Sequence, residues 1–306
     1  MRIEYLNRSA IDDKRWNICI DRAVNGIVYA YTWYLDIVSP NWGALVGDDY
    51  DYIFPLPVLR RFGVNVLQQP LFTQQLGLFS RKHITPEVLD AFLLNIPKHY
   101  RYVNIHLNTL NKCESSLSCK ERVTYQLELV STFNKIQSKY SQNTRRNNLK
   151  AIALGVSVVP GVDVESFLDL FIANNPVKFS GKKYFQIRQI VEIVIQKGLG
   201  EIVGAYIGGT LCASAFIVKS NGKLIYLFAC SSPVGLKNRA MFAIVDQLIR
   251  WNAESHRVLD FEGSMIPSVA RFYAGFGAEP CNYWNVVIDR LPFYVRILFR
   301  VKELIR

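Results

Sequence analysis

Two dipeptides constrain the fold of this chain more than anything else in it. Gly208-Gly209 and Asn221-Gly222 punctuate three β-rich runs, 201–207, 211–219 and 223–230. A two-residue hairpin of type I′ needs positive φ at both central positions, which Gly and Asn adopt at little cost. The three runs are therefore predicted as consecutive antiparallel strands. Apolar residues recur at helical spacing over 164–174, 183–197 and 239–254, and Gly198 closes the second of these helices. Helices with one apolar stripe must bury it against the sheet, so this half of the chain reads as layered α/β. Strand 257–261, helix 267–276 and strand 283–288 complete it.

The first half repeats the element order without repeating the sequence. Strands are predicted over 2–6, 42–46, 51–59, 64–69, 101–107 and 122–129. Helices are predicted over 10–24, with Ser9 as N-cap, over 29–38, and over 85–95, with Pro86 in its first turn. The stretch 108–120 is polar and reads as a surface loop. A basic helix over 142–154 ends at Gly155, and 156–159 resumes as strand. The expected class is α/β (α+β): two related domains, 1–139 and 140–306, each a mixed, mostly antiparallel sheet flanked by helices.

Composition narrows the functional classes. Half of the 306 residues are hydrophobic and 20% are charged, which excludes wholesale disorder. No window of about 18 uncharged apolar residues occurs, so no transmembrane helix is expected, and the acidic start reads as lacking a secretory leader. Lys and Arg number 36 against 25 Asp and Glu, and a net charge of +11 favours anionic partners. The six cysteines include no Cys-x-x-Cys pair and the four histidines have no helical metal-binding partner, so no metal site is expected. Cys113 and Cys119 are near enough in sequence to bridge, but free thiols in a cytoplasmic protein are the expectation.

Two segments carry a family resemblance. The first, 140–158, contains Tyr140, Arg145, Arg146, Lys150, Ala151, Gly155 and Val156. The second, 259–278, contains Asp260, Phe261, Glu262, Gly263, Ser264, Phe272, Tyr273, Phe276 and Gly277. In order and separation they resemble the Fem family of aminoacyl transferases and its relatives in the GNAT acyltransferase superfamily. There a Ser…Arg-Arg-x-x-x-Lys-Ala…Gly-Val helix opens the second domain and an Asp-Phe-x-Gly-Ser…Phe-Gly segment closes it. Weaker matches over 31–42, 55–59 and 68–78 resemble the first domain. The resemblance implies two tandem GNAT-like domains. It also implies transfer of an aminoacyl or acyl group to an amine of an anionic acceptor, such as a cell-wall precursor. The donor would be aminoacyl-tRNA or acyl-CoA, with no tightly bound cofactor. The chain departs from the pattern in lacking the charged helical arm of some Fem proteins. It also lacks the Arg/Gln-x-x-Gly-x-Gly/Ala pyrophosphate loop of ordinary GNAT enzymes.

The residues suggest roles of their own. Arg146 and Lys150 are four apart and share a helix face with Arg145 nearby, a set suited to a polyanion or simply to water. The resemblance puts the acceptor in a cleft between the domains, held by these three. Lys178 and Tyr226 are further candidates for substrate contact, with Ser264. Ser231, Gly235, Lys237, Asn238 and Arg239 lead into helix 239–254, where helix N–H groups and positive charge suit the phosphate of a donor. Glu262 is the candidate proton acceptor and Tyr273 the candidate donor to a leaving group. Asp260 is expected to be buried and paired. The run 291–306 reads as a basic amphipathic helix, either docked on the body or lying on the inner face of an anionic membrane. Two alternatives stand beside aminoacyl transfer. One is a coenzyme A-dependent N-acyltransferase, and the other is a non-catalytic protein of this fold that binds RNA or a membrane surface.

Overall fold

The computed structural model describes residues 1–61, 63–113, 118–175, 177, 179–263, 265–293 and 296. The chain divides into two compact units, Met1–Arg122 with Tyr283–Arg306, and Val123–Asn282. This differs from the boundary read between 139 and 140. That reading placed the boundary at a helix start, whereas the chain changes unit within two strands, which no local signal marks.

In the first unit the chain forms β1 (Ile3–Asn7), α1 (Asp13–Arg22), α2 (Thr32–Val38), β2 (Gly43–Gly47), β3 (Tyr52–Leu56), β4 (Val58–Arg61), β5 (Val64–Gln68), β6 (Phe79–Ser80), α3 (Pro86–Leu94) and β7 (Tyr102–His106). Strands β1-β2-β3-β6 make an antiparallel sheet, while β4, β5 and β7 pair in a separate run. The predicted strand 51–59 is thus two strands in different sheets. Pro57 separates them, because a residue without an N–H interrupts a ladder. Helix α1 starts later than expected. Asp12, not Ser9, is its N-cap, accepting from the Arg15 amide, and residues 8–10 form a 3-10 turn. Thr85 caps α3 ahead of Pro86. Trp16, Trp42, Phe54 and Phe92 are fully buried in this unit.

In the second unit follow β8 (Ser118–Glu128), α4 (Phe133–Ser138), α5 (Gln142–Ala153), β9 (Ser157–Pro160), α6 (Val164–Asn174), α7 (Gly181–Gln196), β10 (Gly200–Ile207), β11 (Thr210–Ser220), β12 (Lys223–Ser231), α8 (Pro233–Lys237), α9 (Ala240–Asn252), β13 (Val258–Asp260) and α10 (Pro267–Ala274). The sheet order is β8-β13-β12-β11-β10-β9. Both expected hairpins are present, with positive φ at Gly208, Gly209, Asn221 and Gly222. All pairs are antiparallel except β12 with β13. Helices α6 and α7 cover one face, and α9 lies against β9, β10 and β11 on the other. The last strand, β14 (Glu279–Asp289), begins in this unit and ends in the first, where Asn285 to Asp289 pair antiparallel with β7.

Cys113 and Cys119 form a disulfide, with Cα atoms 6.6 Å apart. This overturns the free-thiol expectation for that pair. The strand β8 starts at Ser118, four residues before the strand predicted at 122, and so places Cys119 in a ladder close to Cys113. Cys19, Cys212, Cys230 and Cys281 are free. Among the described residues no helix is long and apolar enough to cross a membrane. Most of the basic run 291–306 lies outside the described residues.

Candidate active site

Strands β12 and β13 run parallel for only three residues each, Lys223–Ile225 beside Val258–Asp260. Beyond that point β12 continues to Ser231 against β11 alone, and β13 turns away. The turn is sharp because Glu262 and Gly263 both have positive φ, 56° and 57°. That conformation is costly for a residue with a Cβ, so something nearby must hold it. Asp260 does so. Its Oδ1 accepts from the Glu262 amide at 3.1 Å and from Thr124 Oγ1 at 2.9 Å. Its Oδ2 accepts from Gln126 Nε2 at 2.8 Å and from Lys223 Nζ at 3.2 Å. The expected pairing of Asp260 is therefore present, and its partners come from β8 and β12. Both strands were predicted, but nothing in the sequence shows that they flank Asp260.

Where the strands part, β12 also changes the face it shows. Phe216 is opposite Phe228 while Ile217 is opposite Tyr226, so Leu227 is an extra residue on β12. A bulge of this kind reverses the alternation of side chains and re-aims them. Tyr226 accordingly packs with the α9 and α10 side, its hydroxyl 2.7 Å from Met241 Sδ. Phe228 turns to the other face and meets Phe171 of α6. At the base of the divide, Phe261 stacks on Tyr273 at 4.6 Å between ring centres. Tyr226 lies 5.9 Å from Phe261 and 6.3 Å from Tyr273.

Glu262 sits at the edge of this aromatic set. Its Oε1 is shielded from solvent and has no hydrogen-bond partner among the described residues. Burial pushes its carboxyl well above the usual carboxylate range. Burial also raises the Tyr273 phenol, and the charge of Glu262 raises it further. Tyr226 is raised by burial and then by Tyr273. The result is an acid that ionises less readily than usual, beside the Tyr273 phenol, whose proton is held more tightly than usual. Functional sites often gather perturbed groups of this kind at one point. Of the residues singled out from the sequence, the structure brings Tyr226, Glu262 and Tyr273 together. Asp260, Thr124, Gln126 and Lys223 are the supporting set. The last three were missed because only the strand pairing connects them.

The segment 231–239, read as leading directly into the following helix, contains a short helix of its own. Ser231 ends β12. Ser232 then caps α8, accepting from the Gly235 amide at 3.2 Å. The sequence Ser232-Pro233 was the available signal, a cap residue followed by proline at the first helical position. Gly235 is required by packing against protein, not by approach to a ligand. A Cβ there would lie 2.2 Å from the Cys212 carbonyl oxygen on β11. Gly235→Ala is accordingly expected to destabilise the fold by about 1–3 kcal/mol, read as a lower urea midpoint. Asn238 donates to the Val234 carbonyl at 2.8 Å. Lys237 ends α8 and Arg239 immediately precedes α9, and both are exposed.

Helix α5 forms as expected, with Ser141 as N-cap and a positive φ at Gly155. Thr144, Asn148 and Ala151 are its buried positions, so Arg145, Arg146 and Lys150 face solvent. Arg145 donates to the Ser138 carbonyl and Arg146 to Asn143 Oδ1. No contact among the described residues joins the three to Tyr226, Glu262 or Tyr273. Lys178 and Ser264 lie outside the described residues.

The sequence matches no protein-family model and no curated protein. Solved structures do match. FemX aligns with a TM-score of 0.63 at 12% identity, over 93% of this chain and 97% of its own. L-PGS from Bacillus licheniformis aligns at 0.58 and 10% identity, over 96% of each chain. A tandem GNAT protein from the clavulanic acid biosynthesis pathway aligns at 0.52 and 13% identity, over 95% and 99%. At such identities the likeness is one of fold alone: the chain shares its fold with FemX, L-PGS and the tandem GNAT protein.

Proposed function

We propose that the chain is an acyl-type transferase that moves an aminoacyl or acyl group onto an amine, with its chemistry where β12 and β13 part. Glu262 carries the reading: its Oε1 is shielded and has no hydrogen-bond partner among the described residues, its backbone is in a costly conformation, and the buried Tyr273 phenol lies beside it. The fold shared with FemX, L-PGS and a tandem GNAT protein supports it.

In this reading the acceptor amine attacks the donor carbonyl, and Glu262 takes the proton that the nitrogen sheds. A raised pKa suits that task, since a base titrating nearer to working pH is both available and strong enough. Tyr273 gives a proton to the leaving oxygen or sulfur. The ring surfaces of Tyr226, Phe261 and Tyr273 keep water from the carbonyl, and most of the acceleration comes from positioning. Lys237 and Arg239 meet the phosphate of the donor, whether that belongs to a charged tRNA or to acyl-CoA.

Purified protein incubated with labelled aminoacyl-tRNA or with acetyl-CoA, and an amine acceptor bearing phosphate, tests this directly. Transfer from one donor and not the other is the expected result and names the donor. Release of no label to any amine acceptor from either donor removes the proposal.

A further inference from the structure

On α5, positions advance by 100° per residue. Going round its exposed side, the order is Ile152, Arg145, Leu149, Ala153, Arg146 and Lys150. Leu149 and Ile152 are each 68% exposed. Large aliphatic side chains this open on a well-formed helix are unexplained by packing, since the opposite side alone (Thr144, Asn148 and Ala151) is buried. The three cations beside them make no salt bridge among the described residues. The helix has no acidic residue. The carboxylate packed nearest, Asp246 of α9, faces the buried side, where it accepts from Asn148 Nδ2 at 3.1 Å.

We propose that this face of α5 rests on an anionic lipid surface, with Leu149 and Ile152 entering the acyl boundary and Arg145, Arg146 and Lys150 meeting the headgroups. Leu149 and Ala153 lie between Arg145 and Arg146, and Ile152 lies on the far side of Arg145; aliphatic side chains flanked by cations on one exposed helix side suit a helix lying in a membrane interface. Each such cation near an anionic leaflet adds to the attraction. Charge and chemistry select this occupant over two others. A second copy of a chain with net charge +11 would set like charges against one another. Single-stranded RNA is held by basic grooves with aromatic platforms for the bases, and this face offers aliphatic side chains instead. The inference stands apart from the reading of Glu262, because it concerns a different surface and is tested by binding, not by transfer.

The test is co-sedimentation of the full chain with vesicles of phosphatidylcholine, alone or with one quarter phosphatidylglycerol. Binding to the anionic vesicles is expected, with loss at high salt. Leu149→Ser with Ile152→Ser should weaken it about tenfold or more, and Arg146→Gln with Lys150→Gln comparably. Both pairs are exposed, and unchanged thermal unfolding verifies that the fold is kept. Leu149→Trp should retain binding and show blue-shifted fluorescence only with anionic vesicles. Three results would overturn the proposal. They are equal binding to both vesicle types, binding insensitive to the α5 changes, and changes that weaken affinity for single-stranded RNA while leaving vesicles unaffected.

Discussion

Glu262→Gln is expected to slow transfer about 10²–10⁴-fold, the usual contribution of a positioned general base, while leaving KM nearly unchanged. The substitution keeps the shape of the side chain and removes only its ability to take a proton. The pH profile is the sharper readout. Burial raises the folded-state pKa of Glu262, and the base works only when ionised. Wild-type activity should therefore climb with pH through a value above the ordinary carboxylate range, and the variant should lack that limb. Stability moves the other way. A group whose folded pKa is raised contributes most below its unfolded pKa, about 4.3 for Glu, and that contribution is lost as pH rises through the folded value. The Gln variant escapes this loss, so its Tm should gain on the wild type as pH rises above about 4.3. Activity within twofold of wild type at every pH would remove Glu262 from the chemistry.

The second large effect concerns Asp260. Its carboxylate is almost wholly buried and accepts from four donors on three segments. Removing a buried ion-pair partner costs about 3–5 kcal/mol, because the remaining charge and donors are left without compensation. Lys223 keeps some contact with water, its side chain being 21% exposed, so Asp260→Ala belongs near the lower end, about 3 kcal/mol. Asp260→Asn should cost less, since one oxygen can still accept. Urea unfolding of these variants, and of Asp260→Ala combined with Lys223→Met, separates the pair from the hydrogen bonds. If the double variant is no more stable than Asp260→Ala, the unpaired ammonium is not what makes the single change costly. Loss of Asp260 should also release the turn at Glu262. Transfer would then fall even in conditions where the variant remains folded.

What was legible in the sequence follows from the range of the interactions involved. The hairpins at Gly208-Gly209 and Asn221-Gly222 are decided by two adjacent residues, and they form as read. Helix α6 is where its periodicity puts it, with Asp163 as its N-cap. Elements of little more than one turn were harder. Neither α4, although Thr132 caps it, nor α8 is among the predicted helices. The bulge at Leu227 has no sequence signature, because it exists only relative to the register of β11. The left-handed turn at Glu262 was equally hidden, since nothing local favours it and its support arrives from Thr124, Gln126 and Lys223. Among the proposed site residues, Glu262, Tyr226 and Tyr273 were found by type and by resemblance. The reason they meet lies in strand pairing. The Cys113–Cys119 bridge likewise depends on where β8 begins, which polarity alone did not indicate.

The path of β14 bears on how the chain comes off the ribosome. The second unit is one continuous stretch, Val123–Asn282, whereas the first is assembled from both ends of the sequence. Strand β7 receives its antiparallel partner only from Asn285 to Asp289. During synthesis the residues up to 122 emerge first but must wait, with one side of β7 unpaired, until the rest has been translated. The later segment can close its own sheet in the meantime. Order of appearance and order of completion are thus reversed, and the waiting strand is the point most open to mispairing with another nascent chain.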